Sequence, residues 1–93
     1  MIKNFLDKET EKFYLTGKSK KISSTIQKVA LRKLDYLNSA VELDDLRIPP
    51  ANRLEKLSGS LKGFYSIRIN NQYRIIFRFE DGLCFDVKII DYH

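Results

Sequence analysis

The second half of this 93-residue sequence alternates between apolar and polar residues, and this pattern constrains the fold more than any other feature. Successive side chains of a β-strand point to opposite faces of a sheet, so a period of two predicts strands with one buried face. Four segments are predicted strands: RLEKL, FYSIRIN, YRIIFRF and LCFDVKII. In the last three, the positions assigned to the buried face are all odd-numbered: Tyr65, Ile67, Ile69, Tyr73, Ile75, Phe77, Phe79, Phe85, Val87 and Ile89.

This shared parity also predicts the two hairpin loops. If the odd-numbered residues face one core, each loop must contain an odd number of residues. Three-residue loops at positions 70–72 and 80–82 satisfy this condition, with Gly82 in the left-handed conformation. In the resulting register Arg68 lies opposite Arg74, and Arg74 lies opposite Lys88.

Helical patterns are confined to the first half of the chain. Two helices are predicted: one from Asp7 through about Tyr14, closed by Thr16-Gly17, and one from Ser23 or Ser24 to about Asn38. Residues 2–5 suggest a short opening strand. Together with the strands, these elements predict an α+β fold for a single domain over residues 1–93. Its two N-terminal helices pack on one face of a small, antiparallel-dominated sheet of about four to five strands.

Composition excludes several classes of protein. No apolar run approaches the roughly 20 residues that span a bilayer, and the charged N-terminus has no signal-peptide core. Cys84 is the only cysteine, so no disulfide framework is expected and the compartment is a reducing one. These features predict a cytoplasmic protein without a membrane partner. The net charge of +5 suggests a polyanionic partner.

Metal and cofactor chemistry finds no support in the sequence. His93 is the only histidine and Cys84 the only cysteine, so no metal-ligand spacing exists. There is no glycine-rich phosphate loop. We therefore expect no metal site and no cofactor.

The predicted register places three cations, Arg68, Arg74 and Lys88, in one row on the sheet face that the helices leave free. Like charges directly opposite each other are destabilising, so this row predicts an anionic partner. Arg78 lies one step further along its strand, and Ser66 and Gln72 add hydrogen-bonding groups beside the row. The alternative is a solvated face whose long side chains extend into water.

A phosphodiester can be cleaved with few protein groups. Cations must hold the phosphate, and a group with a pKa near neutrality must move protons. A ribose 2′-hydroxyl can supply the nucleophile. Arg68, Arg74, Lys88 and His93 are chemically sufficient for this task.

Three segments of the chain resemble HigB toxins of the RelE/ParE superfamily: the opening MIKNFLDKETEKFY, the stretch IPPANRLEKLSGSLKGFYSIRINNQYRIIFRFEDG and the closing DVKIIDYH. The resemblance implies a RelE-like fold and a bacterial type II toxin. Such toxins are ribosome-dependent, metal-independent endoribonucleases that cut mRNA in the A site. The 2′-hydroxyl attacks the adjacent phosphate and leaves a 2′,3′-cyclic phosphate and a 5′-hydroxyl. The implied partners are the ribosome, mRNA and a HigA-type helix-turn-helix antitoxin, through which alone operator DNA is bound.

The resemblance also assigns candidate catalytic residues. The closing DYH makes His93 the general acid or base, with Tyr92 stacking on a base or orienting the substrate and Asp91 positioning the tail. Arg74, in QYRI, would stabilise the cleaved phosphate.

The substrate-binding candidates are Arg68, Lys88, Gln72, Arg78, Arg53 and Glu55. Glu55 stands where some relatives have a histidine, so a two-histidine mechanism is excluded here. It is either a replacement base or a structural strand residue.

Two other functions remain open. ParE-type relatives share the fold and poison DNA gyrase without cutting RNA, and a basic adaptor would merely bind RNA or the ribosome.

The end of the chain is the weakest point of the enzymatic interpretation. Strict alternation puts Tyr92 on the face of Arg74 but His93 on the core side, so catalysis by His93 requires the chain to leave the sheet after about Asp91.

Overall fold

The structure, a computed structural model, describes residues 1–92. Its helices and strands are α1 (Lys8–Thr16), α2 (Gln27–Ser39), β1 (Glu55–Lys56), β2 (Tyr65–Arg68), β3 (Tyr73–Glu80) and β4 (Leu83–Asp91). The four strands form one antiparallel sheet in the order β1-β2-β3-β4. The predicted fold class is confirmed.

Helix α1 has the ends that the sequence predicts. The Asp7 side chain accepts a hydrogen bond from the Thr10 amide at 3.3 Å, which satisfies one of the free donors at the helix start. Gly17 ends the helix in a left-handed conformation with φ 75°, and its amide donates to the Phe13 carbonyl at 2.7 Å.

Helix α2 begins later than predicted, at Gln27 instead of Ser23 or Ser24. Ser23 and Thr25 join their hydroxyl groups at 2.8 Å, and the Ile26 amide donates to the Ser23 carbonyl. This turn competes with helix formation, because short polar side chains bond to nearby backbone groups.

The helices cover the odd-numbered face of the sheet. The buried core joins residues of both helices to odd-numbered strand residues, and its fully buried members include Phe13, Leu34, Leu37, Ile67, Ile75, Phe77 and Val87. Burial of this apolar surface drives the packing of helices on sheet.

The N-terminal segment lies along β4 in the parallel direction. Ile2 pairs with Cys84 and Phe5 pairs with Val87, as two isolated bridges and not as the continuous opening strand that we predicted. β1 is also shorter than the predicted RLEKL strand, at two residues.

The register of the first hairpin agrees with the prediction. Tyr65 pairs with Phe77 and Arg68 pairs with Arg74, around the loop at residues 70–72. The Asn70 side chain closes this loop by accepting hydrogen bonds from the amides of Gln72 at 2.8 Å and Tyr73 at 2.7 Å.

The predicted register of the second hairpin is wrong. Glu80 pairs with Leu83, so the turn contains two residues, Asp81 and Gly82, both with positive φ as in a type I′ turn. A two-residue turn inverts the parity of β4. The core residue next to the turn is therefore Cys84, and not Phe85 as predicted.

A β-bulge then restores the original parity. Asp86 and Val87 of β4 together face Phe77 of β3, and Asp86 adopts φ 54°. Beyond the bulge Lys88 lies opposite Ile76, and Arg74 lies opposite Ile90. The predicted pairing of Arg74 with Lys88 is thus wrong.

No helix within residues 1–92 has the length and apolar character needed to cross a membrane.

Candidate active site

Arg74 is the centre of a cluster of predicted site residues on the even-numbered face of the sheet. Only 6% of its surface is exposed. Its Nε donates to Ser66 Oγ at 2.9 Å and its Nη1 to Glu55 Oε1 at 3.3 Å, while its Nη2 donates to the main-chain carbonyl of Arg53. These three acceptors fix the plane of the guanidinium group. Arg74 is therefore an oriented cation and not a mobile surface charge.

Burial is the main influence on the ionisation of Arg74. It lowers the pKa of the guanidinium from its ordinary value, with smaller contributions in the same direction from the charges of Arg68 and Arg53. Glu55 and Tyr92 act against this and raise the pKa. Because a guanidinium titrates so far above neutrality, Arg74 keeps its charge at physiological pH.

The residues that bond to Arg74 come from different elements of the fold. Ser66 lies in β2 diagonally across from Arg74, where a short side chain leaves room for the long arginine. Glu55 projects from the edge strand β1. Arg53 turns the chain with a left-handed φ of 45° after the 3₁₀ turn Pro50–Asn52, and this conformation presents its carbonyl to Arg74.

Tyr92 covers the cluster from the end of β4. The Arg74 Cζ lies 5.6 Å from the centre of the Tyr92 ring, within the range of a cation–π contact. The Tyr92 amide still donates to the Gln72 carbonyl at 2.7 Å, one position beyond the last strand residue, Asp91. The prediction that Tyr92 shares the face of Arg74 is confirmed.

Gln72 and Asp91 join the first hairpin loop to the end of β4. The Gln72 side-chain amide donates to Asp91 Oδ2 at 3.1 Å. With the backbone bond from Tyr92, this contact attaches the last described residues to a structured loop.

The predicted row of three cations is not present. Arg68 is half-buried opposite Arg74, but Lys88 lies one step away, opposite Ile76. The even-numbered face of the sheet is also less accessible to solvent than predicted, since Ser66, Arg74 and Ile76 are all buried. The charge of Arg74 is balanced within the fold by Glu55, so the like-charged pair with Arg68 does not by itself require an external anion.

Arg78 lies apart from the cluster, four residues further along β3. It is exposed, and its Cζ lies 5.9 Å from the centre of the Phe64 ring. It also lines a separate depression near the β3–β4 turn.

His93, the predicted general acid or base, lies outside the described residues. The predicted bend of the chain after about Asp91 would bring it over Arg74; the Tyr92 amide still bonds to the Gln72 carbonyl, and the path of the chain at His93 lies outside the described residues.

Sequence reasoning missed the parts played by two groups in the cluster. Ser66 was expected only to add polarity beside the row, although its diagonal position to Arg74 follows from the register of the first hairpin. Nothing in the sequence indicated that the Arg53 carbonyl would accept a hydrogen bond from Arg74, because the direction of a main-chain carbonyl depends on the local backbone conformation and not on the side chain. Within residues 1–92 no group of three or more metal-ligating side chains comes together.

Comparison with known proteins gives a family match over nearly the whole chain. Residues 3–93 match the family described as HigB-like toxin, a RelE-like toxin of the type II toxin–antitoxin system HigB. The chain is 47% identical over 90 residues to Toxin HigB-1 of Vibrio cholerae, an alignment that covers 96% of this chain and 95% of that protein.

Two solved structures of bacterial proteins have the same fold. The YoeB–YefM toxin–antitoxin complex of Staphylococcus aureus contains a chain with a TM-score of 0.64 and 22% identity, covering 100% of this chain and 95% of that one. YafQ of E. coli gives a TM-score of 0.58 and 17% identity, covering 97% and 88%. At these identities the likeness concerns the fold alone.

Proposed function

This chain belongs to the HigB-like family of RelE-like type II toxins, and we propose that it is a ribosome-dependent endoribonuclease that cleaves mRNA in the A site without a metal ion. As part of this proposal, residues 1–93 form one toxin domain and act in the cytoplasm. A HigA-type helix-turn-helix antitoxin neutralises the toxin and supplies any contact with operator DNA.

The contact of Tyr92 with Arg74 is the observation that carries the proposal. It brings Tyr92, the middle residue of the closing DYH, to a buried, oriented arginine, and His93 follows Tyr92 directly in the chain. The proposal assigns the proton transfer to the imidazole of this neighbouring residue, which would act on a phosphate held by Arg74.

The proposed reaction is a transesterification within the RNA. The 2′-hydroxyl attacks the adjacent phosphorus, the bond to the 5′ oxygen breaks, and a 2′,3′-cyclic phosphate and a 5′-hydroxyl result. His93 takes the proton from the 2′-oxygen or gives one to the 5′-oxygen, and solvent water exchanges the other proton. Arg74 has five N–H donors, of which three bond Ser66, Glu55 and Arg53, and the other two stabilise the charge that grows on the phosphate.

The remaining candidates assist this reaction. Glu55 orients Arg74 through their ion pair, and Asp91 and Gln72 position the end of the chain. Arg68, Lys88, Arg78 and the side chain of Arg53 contribute cations along the RNA backbone.

The decisive experiment maps mRNA 5′ ends after incubation with the protein, with and without translation by ribosomes. We expect wild-type protein to cut only translated mRNA. His93→Ala should slow cleavage by about a hundredfold or more, as expected for loss of a general acid or base. Arg74→Lys, which keeps the charge but loses the planar fork, should slow it by a similar factor. Lys20→Ala, in the exposed segment between the helices, is the matched control and should cleave as wild type does.

Two outcomes contradict the proposal. Full cleavage by His93→Ala removes His93 from the reaction. Intact mRNA, together with a block of DNA supercoiling, identifies a ParE-like gyrase poison instead. Circular dichroism of each variant separates a loss of chemistry from a loss of fold.

A further inference from the structure

The bulge in β4 changes the surface of the sheet at the end opposite the Tyr92 contact. Between the two-residue turn and the bulge, β4 runs with inverted parity, so Cys84 faces the core and Phe85 faces the other side. Phe85 lies directly opposite Arg78 and therefore shares its face. A three-residue turn without a bulge would have buried Phe85 in the core.

The bulge is a specifically stabilised feature. Asp86 has φ 54°, a conformation that few residues other than glycine adopt readily. The Asn4 side chain holds it by two bonds: its Nδ2 donates to Asp86 Oδ1 at 2.8 Å, and its Oδ1 accepts from the Asp86 amide at 3.0 Å. Bulges of this kind often redirect a side chain toward a functional surface.

Phe85 and Arg78 line an open depression of about 480 Å³, together with Lys3, Asn4, Glu80 and Asp86. Among residues 1–92, neither Arg78 nor Lys3 forms an ion pair with a carboxylate. The depression has two cationic and two acidic side chains, so it has no net charge that would attract a polyanion. It instead combines an aromatic ring, cationic donors and carboxylate acceptors, which are the groups that recognise a nucleobase and its phosphate together.

The depression also lies on the sheet face that carries Arg74. Arg74 and Arg78 are four residues apart on β3, a separation of about 13 Å along a strand. At roughly 3.4 Å per stacked nucleotide, a single strand covers this distance with at most about four nucleotides.

We propose that this depression is a second nucleotide subsite for single-stranded RNA, in which a base stacks on Phe85 while Arg78 and Lys3 contact its phosphate. The proposal rests on the proposed function, because it extends the same RNA strand beyond Arg74. The subsite supplies binding energy away from the cleaved bond, and its carboxylates Glu80 and Asp86 accept hydrogen bonds from base amino groups.

Binding of a fluorescent RNA hexamer with methylated 2′-hydroxyls tests the subsite. This RNA cannot supply the nucleophile, so binding is measured apart from cleavage. We expect Phe85→Ala to raise the Kd by about tenfold, as for the loss of one base–aromatic stack, and Phe85→Tyr to bind like wild type. Arg78→Gln should lower the slope of log K against log salt concentration by about 0.7, as for one phosphate contact on a single strand. Lys20→Gln, an equal loss of charge outside the depression, is the control and should change the Kd by less than about twofold.

Two results would overturn the subsite: equal affinity of wild type and Phe85→Ala for the hexamer, or equal loss of affinity with Phe85→Tyr. These results are distinguishable from failure of the proposed function. A protein that binds the hexamer through Phe85 but never cuts translated mRNA keeps the subsite and loses the nuclease activity. A protein that cuts translated mRNA but binds equally well with Phe85→Ala loses only the subsite.

Discussion

Arg74 has a full positive charge at a position that is 6% exposed, and its environment explains how the fold tolerates it. Burial of a charge is costly unless hydrogen bonds and an opposite charge compensate. Ser66, Glu55 and the Arg53 carbonyl supply these, so the guanidinium is already oriented before any substrate arrives. Such preorganisation is what stabilisation of a growing charge requires.

The contact of Tyr92 with Arg74 leads to a prediction at the scale of single residues. The contact involves the ring, so Tyr92→Phe should keep at least half of the cleavage rate. Tyr92→Ala should lower the rate by about fivefold, because it removes a cation–π contact of about 1 kcal/mol. Single-turnover cleavage on ribosomes measures both. A Tyr92→Phe variant as slow as Tyr92→Ala would show that the hydroxyl, and not the ring, is the working group.

Among the elements, the β3–β4 hairpin departs most from the sequence-based prediction. Asp81-Gly82 is a favoured pair for a two-residue type I′ turn, and Asp86 is one of the few residue types that tolerate a left-handed φ. Both signals were in the sequence. The three-residue alternative satisfied the alternation equally well, and contacts from the distant N-terminal segment, among them those of Asn4 with Asp86, favour the combination of turn and bulge.

Gly82 provides a test of this turn at the scale of the hairpin. A Cβ at position 82 would lie 3.1 Å from the Val41 carbonyl oxygen, in addition to the strain of φ 79°. Gly59 has a similar φ of 64° but open space around it, so Gly59→Ala is a matched control. We expect Gly82→Ala to lower the free energy of unfolding in urea by about 1 kcal/mol more than Gly59→Ala does. Equal losses would mean that the backbone near Val41 moves freely to make room.

At the scale of the whole molecule, the two helices are joined to each other as well as to the sheet. The Tyr14 hydroxyl of α1 donates to Asp35 Oδ1 of α2 at 3.0 Å. Burial, followed by the hydrogen bond and the charge of Asp35, raises the pKa of Tyr14 to about 12. The ordinary pKa of a tyrosine is about 10, so the folded protein holds this proton more tightly than the unfolded chain.

This difference predicts how the stability of the molecule depends on pH. The contribution of Tyr14 is complete below about pH 10 and is lost as the pH rises towards about 12, because the unfolded chain releases the proton first. Between about pH 9 and about pH 11, the free energy of unfolding should therefore fall more steeply in wild type than in Tyr14→Phe. Asp35→Asn, which removes the carboxylate charge, should give an intermediate slope. Parallel curves for wild type and Tyr14→Phe would contradict the assignment.

The sequence by itself determined the fold class, helix α1 and the first hairpin. These depend on local caps and on strand alternation, which are properties of neighbouring residues. The tertiary structure alone decided the register of β4, the pairing of Arg74 with Glu55 and the face of the sheet on which Phe85 lies. The reason is physical. A two-residue turn and a three-residue turn place opposite sets of residues of the following strand on the core face, and contacts between distant segments select between them. The contact of Asn4 with Asp86, and likewise the bond between Arg74 and the Arg53 carbonyl, exist only once the chain has folded.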